Sequence, residues 1–341
     1  MNEKSFNFKH SYLILMRDFK VVTYTSKYYK IWNDFLKDSK NGTFLCHRDF
    51  MEYHQDRFED GSFLVFKDEK LVAIFPANRK NELIYSHQGL TYGGLIVGKE
   101  ASFKIILKAV KCLLETFQSL GIHEMILKPT PRIYHKHPSD EIDYLLFKLQ
   151  AELIRRDLTV AIETKQPIEI SSSNRKRGLN RAIKNELVVK EESDFNLFWN
   201  QILIPNLKEK HGVEPVHTLE EITHLKSKFP NNIRQFSVYK ENTIVAGVTI
   251  FETEKVAHAQ YISANNSKQE LGSLDVLFNH LIHEVYKNKM YFDFGVCTEN
   301  RGKQINSGLQ SWKESFGARS ISHDFYSVFT KNHIYLEDVL I

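Results

Sequence analysis

Cysteine is scarce in this chain of 341 residues, which holds only Cys46, Cys112 and Cys297. Three thiols so far apart make neither a disulfide framework nor a CxxC zinc pattern, and they fit a reducing, cytoplasmic setting. Long apolar runs are missing as well. None approaches the roughly 18 residues of a membrane span, so no span is expected. The opening residues, Met1-Asn2-Glu3-Lys4-Ser5-Phe6, lack the apolar core of a secretory leader. Net charge is small: 46 lysines and arginines against 42 acids leave +4, too little to imply nucleic acid by itself. No helix-turn-helix or finger spacing appears, which argues against a DNA reader. Nor does any Gly/Ser-rich linker divide the chain.

What is present is an ordinary globular composition, 42% apolar and 26% charged, over a length that suits about two domains. The chain also repeats itself. Residues 62–75 and 235–248 match at a constant offset: Phe63 with Phe236, Val65 with Val238, Lys67 with Lys240, Val72 with Val245 and Ala73 with Ala246. Each stretch alternates apolar residues, turns at a polar triplet (Asp68-Glu69-Lys70 or Glu241-Asn242-Thr243) and runs back, which predicts a β-hairpin. A third strand is expected after each hairpin, at Glu82–Ser86 and Val256–Ser263. A helix follows, Ala101–Leu120 or Ser273–Asn288, and then a short strand at Glu124–Lys128 or Met290–Phe294. The order hairpin, strand, helix, strand thus occurs twice, giving mixed sheets that end in β-α-β units. A helix at Ser139–Asp157 and a strand at Leu158–Glu163 lead to a boundary near Gln166-Pro167. The expected domains are 1–165 and 166–341, packed with a cleft between them.

Several local runs resemble the FemAB-like branch of the GNAT acyltransferases. They are the basic helix Asn174–Lys184, the strand Tyr291-Phe292-Asp293-Phe294-Gly295, and the closing run Gly308-Leu309-Gln310-Ser311-Trp312-Lys313-Glu314-Ser315-Phe316-Gly317. Ser86-His87-Gln88-Gly89-Leu90-Thr91-Tyr92-Gly93-Gly94 in the first half is similar to a glycine-rich stretch of the same group. The resemblance implies an α/β chain of two tandem GNAT-like domains, each a mixed sheet flanked by helices. It implies an N-acyltransferase that uses acyl-CoA, acetyl-CoA first among them. The acceptor would be an amine on an amino sugar or on a cell-wall or polysaccharide precursor. Aminoacyl-tRNA is the alternative donor, and a binding module without turnover is a further alternative. No metal is expected. One departure stands out: Gln269-Glu270-Leu271-Gly272-Ser273-Leu274 keeps the Gln and first Gly of the acetyl-CoA pyrophosphate loop but has Leu274 where a small residue is usual.

Acyl transfer to an amine needs a base, donors for the oxyanion and a proton source for the leaving group. The resemblance puts the carbonyl-binding amide near Ile262 and Ser263 and makes Tyr261 a proton donor; plain aromatic packing is the other reading of Tyr261. Asp293 lies between Phe292 and Phe294, so its carboxylate needs a partner or a cleft. Glu299, beyond that strand, is a candidate base. Gln269, Gly272 and Ser273 are candidates for holding a phosphate at a helix N-terminus, and Lys313 for binding an anion or simply lying on a solvated helix face. Arg177, Arg181 and Lys184 share one side of the basic helix, suited to phosphates or to ordinary surface charge. In the first half, His87 and Tyr92 flank glycines that allow close approach of a ligand, or merely a bend.

Overall fold

A computed structural model describes residues 14–16, 18–170 and 172–341. The opening residues read above for a leader lie outside these. By internal contacts the chain divides into one unit of Met1–Ile154 with Phe325–Ile341, and a second of Arg155–Asp324. Compared with the expected boundary at 165/166, the division lies inside strand Glu152–Glu163. That strand pairs with Tyr291–Val296, Glu163 opposite Tyr291 and Ile162 opposite Phe292, so most of it groups with the second unit.

In the first unit, Ile14–Met16, Phe19–Thr23, Phe63–Lys67, Lys70–Phe75 and Ile96–Val97 form an antiparallel sheet in that order. The hairpin forms where the alternation predicts it, with Phe63 opposite Phe75 and Asp68 turning the chain at φ 52°. The third strand differs from expectation. Leu83–Tyr85 lies parallel to Glu124–Leu127 and antiparallel to Asn78–Lys80, while the hairpin's edge is taken by the two-residue strand Ile96–Val97. Helix Phe103–Ser119 connects the parallel pair and buries Ile106, Val110, Leu113 and Phe117, the last with its ring 5.2 Å from Phe63. The helix expected over Ser139–Asp157 stops at Lys148. Gln150 takes a left-handed turn, φ 53°, and the chain is extended from Glu152 onward.

In the second unit the strands run Val188–Glu192, Ile233–Lys240, Thr243–Glu252, Val256–Ala264, Tyr291–Val296, Glu152–Glu163 and Arg319–Phe329. The first four are antiparallel, and Val256–Ala264 lies parallel to Tyr291–Val296. One face is apolar. Phe236, Val248, Ala257, Ala259, Phe292 and Phe294 pack with Leu277, Phe278 and Leu281, which lie on helix Ser273–His280 and its wider continuation Leu281–Val285. Burying each large side chain contributes about 1.5–3 kcal/mol. The alternate residues carry polar groups to the opposite face. Gln235, Ser237, Thr249 and Asp293 are all buried there, and Phe198 packs against that side over Gly247.

The fold is α/β, with a hairpin and a β-α-β step in each half, as the repeat predicts.

Candidate functional site

The second unit's sheet opens at one place. Val256–Ala264 pairs with Tyr291–Val296 only at Val256/Tyr291, Ala257/Phe292 and His258/Asp293. Beyond that point the strands part, for two local reasons. Gln260 is an extra residue, because Ala259 faces Ile250 and Tyr261 faces Thr249, so the strand bulges there. On the other side Gly295 adopts φ +78°, and Val296 pairs with Thr159 of the next strand. The result is a fork with His258 and Asp293 at its base.

Asp293 is 2% exposed and fully partnered. It accepts hydrogen bonds from the Thr159 hydroxyl, from the Gly295 amide at 2.8 Å and from His258 Nδ1 at 2.9 Å. A carboxylate accepts and cannot donate, so His258 carries its proton on Nδ1 and Nε2 becomes the basic nitrogen of the neutral ring. His258 is only partly buried, its side chain 14% exposed. A carboxylate that fixes the tautomer of an imidazole at the edge of an opening is the usual construction of a general base.

Further along the same strand, Tyr261 and His217 share a hydrogen bond of 2.6 Å between the hydroxyl and Nδ1. The His217 amide donates to the same hydroxyl at 3.3 Å. Both residues are buried, and Trp199 packs edge-on against the Tyr261 ring. Asn265 N donates to Val245 O at 2.9 Å. The alternation of an antiparallel ladder then turns the Ile262 amide to the opposite edge, into the fork. Asn206 Nδ2 secures the strand's end by donating to Ser263 Oγ at 2.8 Å and to Ala264 O at 2.6 Å.

Lys313 is buried under the other arm. Its ammonium donates to Gly295 O at 2.8 Å and Val296 O at 3.0 Å, which holds that arm in its bent course. Burial pushes its pKa below the usual lysine range, opposed by neighbouring Cys297, whose own thiol burial pushes up. Glu299 lies elsewhere, exposed on the small hairpin Thr298–Glu299/Gln304–Ile305. There it accepts from Asn306, the cap of helix Ser307–Glu314.

The N-terminus of helix Ser273–His280 is not open. Helix Ser173–Lys184, the basic helix, lies across it. A Cβ on Gly272 would overlap the Gly178 carbonyl oxygen and would stand 3.3 Å from the Ala182 amide; a Cβ on Gly178 would overlap the Asp275 carboxylate. Arg175 Nη1 meets Asp275 Oδ1 at 2.5 Å. Burial raises the Asp275 pKa, and the charges of Arg175 and Arg181 oppose that shift. Ser273 is completely buried, whereas Gln269 is exposed. Of the basic residues, Arg177 and Lys184 face outward and Arg181 is half-buried with its Nε shielded from solvent.

His87 and Tyr92 belong to the first unit. His87 is 4% exposed at φ 62°, with its ring 5.2 Å from that of buried His54. Tyr92 is buried against Tyr134. The Asn78 amide pins the intervening loop by bonding Gln88 twice, at 2.9 and 2.7 Å.

The structure therefore brings Asp293, Tyr261, Ile262 and Ser263 to one fork and sets Glu299 and Gln269 apart at the surface. It also adds His258, Thr159 and His217, which the sequence reading missed. Among the described residues no group of three or more His, Cys, Asp or Glu is arranged to hold a metal, and no helix is long and apolar enough to cross a membrane.

No protein-family model matches the chain, and no curated protein sequence matches it. Solved structures do. FemX superposes with a TM-score of 0.64 at 11% identity, covering 93% of this chain and 99% of FemX. L-PGS from Bacillus licheniformis gives 0.56 at 15% identity, covering 92% and 94%. The C-terminal domain of a putative lysylphosphatidylglycerol synthetase from Agrobacterium fabrum gives 0.52 at 12%, covering 78% and 84%. Over nearly its whole length, the chain has the fold of FemX.

Proposed function

We propose that the protein is an acyltransferase that joins an acyl group to an amine, with aminoacyl-tRNA as donor and the fork of the second unit as its site. The observation that carries the choice of donor is the seat of Gly178 on Gly272. A GNAT that uses acyl-CoA offers the amides of this helix N-terminus to the pyrophosphate, and here a helix of the same unit lies against its first turn, with Gly178 O where a Cβ on Gly272 would stand. An aminoacyl ester has no pyrophosphate to place. The covering helix instead presents Arg177 and Lys184 outward, suited to the phosphodiesters of RNA.

In this reading the amine attacks the ester carbonyl, whose oxygen is held by the Ile262 amide as charge develops on it. His258 Nε2 takes the amine's proton, and Asp293 stabilises the imidazolium through Nδ1. The bond from carbonyl carbon to ribose oxygen breaks, and Tyr261, backed by His217, protonates the departing oxygen. The acceptor, on resemblance, is a cell-wall or polysaccharide precursor. The setting is cytoplasmic. Calorimetric titration with charged tRNA and with CoA tests the choice. Heat with tRNA alone supports it, and micromolar binding of CoA would replace the donor by acyl-CoA.

A further inference from the structure

One arm of the fork is braced along its length by a single helical segment. At the end of strand Val256–Ala264 a neighbour remains on one side: Val248 lies opposite Ile262, Gly247 opposite Ser263 and Ala246 opposite Ala264. On the other side, pairing with Tyr291–Val296 stops at His258. Asn265 N donates to Val245 O, so Asn265 faces the remaining neighbour. Alternation then turns the amide and carbonyl of both Ile262 and Ala264 toward the gap.

A strand edge of this kind frays unless another group stands in for the missing strand. Asn206 does so. Its Nδ2 donates to the gap-facing Ala264 O at 2.6 Å and to Ser263 Oγ at 2.8 Å. A carbonyl oxygen only accepts, so this contact fixes which way the Asn206 amide points. Ile262, whose amide faces the reacting carbonyl, lies about 7 Å back along the strand from Ala264. Trp199, seven residues before Asn206, lies in the wide turn Trp199–Leu203 that runs into helix Ile204–His211. Its ring packs 5.1 Å from that of Tyr261. Seven helical residues and the three strand steps from Tyr261 to Ala264 both span about 10 Å. The segment therefore lies along the strand and grips it on either side of Ile262.

We propose that Asn206 is a positioning residue for acyl transfer, fixing the angle at which the Ile262 amide meets the carbonyl oxygen of the donor. It touches no reacting atom. An amide already aimed at the developing charge needs no reorganisation during the reaction. Misplacing such a group by about 1 Å lowers the rate by about a hundredfold. That the carbonyl belongs to an aminoacyl ester rests on the function proposed above; the brace would serve a thioester equally.

The test uses the full chain with Asn206→Ala, Asn206→Asp, which keeps the shape but loses the donor, and Asn206→Gln, which keeps the amide. Glu209→Gln, on the exposed side of the same helix, is the control. Transfer to hydroxylamine is followed from charged tRNA and in parallel from acetyl-CoA, well below each unfolding midpoint. In Asn206→Ala and Asn206→Asp, kcat should fall about tenfold to a hundredfold while KM for the donor moves by less than about twofold. Asn206→Gln should recover part of the rate, and the control should match the wild type. Should Asn206→Ala fail to fold, Ser263→Ala, which removes one of the two bonds, decides on the same readout. A variant with a lower midpoint but unchanged kcat per folded molecule, or with a raised KM alone, overturns the proposal and leaves the donor reading in place. If acetyl-CoA is the donor turned over and the variants lose kcat with it, the brace stands and the aminoacyl-tRNA reading fails. If the wild type transfers from neither donor, both are overturned.

Discussion

The carbonyl oxygen of Gly178 stands where a Cβ on Gly272 would lie, and a Cβ on Gly178 would in turn meet the Asp275 carboxylate. Through this contact the helix that opens the second unit covers the helix N-terminus from which a GNAT would grip a pyrophosphate. Gly272, a candidate for holding a phosphate in the sequence, packs closely against Gly178, and its φ of +71° starts the helix abruptly.

Substituting either glycine therefore separates the two helices. Gly178→Ala is expected to destabilise the second unit by about 1–3 kcal/mol, as overpacking does, and Gly272→Ala by more, because its backbone is also left-handed. Urea unfolding followed by tryptophan fluorescence measures this. Unchanged midpoints for both variants would refute the packing.

The base is tested at His258. His258→Gln is expected to lower kcat by about 10²–10⁴-fold with little change in KM. Asp293→Asn retains an acceptor for Gly295 but offers His258 an amide that reverses the tautomer, so kcat falls comparably and the pH–rate profile loses the fall at low pH that a general base produces. A profile that keeps its shape in both variants would remove the pair from the chemistry.

Tyr261→Phe separates a proton donor from a packing residue. Loss of the hydroxyl bonded by His217 Nδ1 and by the His217 amide costs about 1–3 kcal/mol of stability either way. Only the catalytic role also lowers kcat, by about tenfold or more, and does so least for donors whose leaving group needs no proton. A variant that is merely less stable would make Tyr261 structural.

Much of this arrangement was readable in the sequence, and the failures are instructive. Alternating apolar residues fixed both hairpins, and the 3.6-residue period located helices Phe103–Ser119 and Ser273–His280. His258 was invisible because nothing near it in sequence marks it. Its partner Asp293 is reached only through three residues of parallel pairing, and His217 meets Tyr261 only where a helix-loop folds onto the sheet. The two-residue strand Ile96–Val97 has too little length to show a period, so Glu82–Ser86 took its place in the reading. The helix expected over Ser139–Asp157 ends at Lys148 because Gln150 makes a left-handed turn without glycine or asparagine to announce it.

Acid should weaken the first unit through His54 and His87. Burial first, and then nearby positive charge, lower the His54 pKa to about 4 and the His87 pKa to about 3, against 6.5 unperturbed. The folded unit keeps both neutral, whereas the unfolded chain protonates them below about pH 6.5. Their contribution is therefore complete above pH 6.5 and is lost as pH falls toward 4, at about 1.4 kcal/mol per pH unit for each. His54→Phe, which retains the ring stack on Tyr53, should flatten the dependence of urea midpoints between pH 6.5 and 4. An unaltered slope would count against the pair.

The central claim is transfer of an aminoacyl group by His258 at the fork. The direct measurement is the rate at which the protein moves labelled amino acid from a pool of charged tRNA to hydroxylamine, a small amine that needs no acceptor recognition. The parallel reaction supplies acetyl-CoA to the same amine and reads thiol release. Wild-type protein should accelerate transfer from charged tRNA, His258→Gln should lose that acceleration, and no thiol should be released. Thiol release from acetyl-CoA, with charged tRNA left intact, would contradict it.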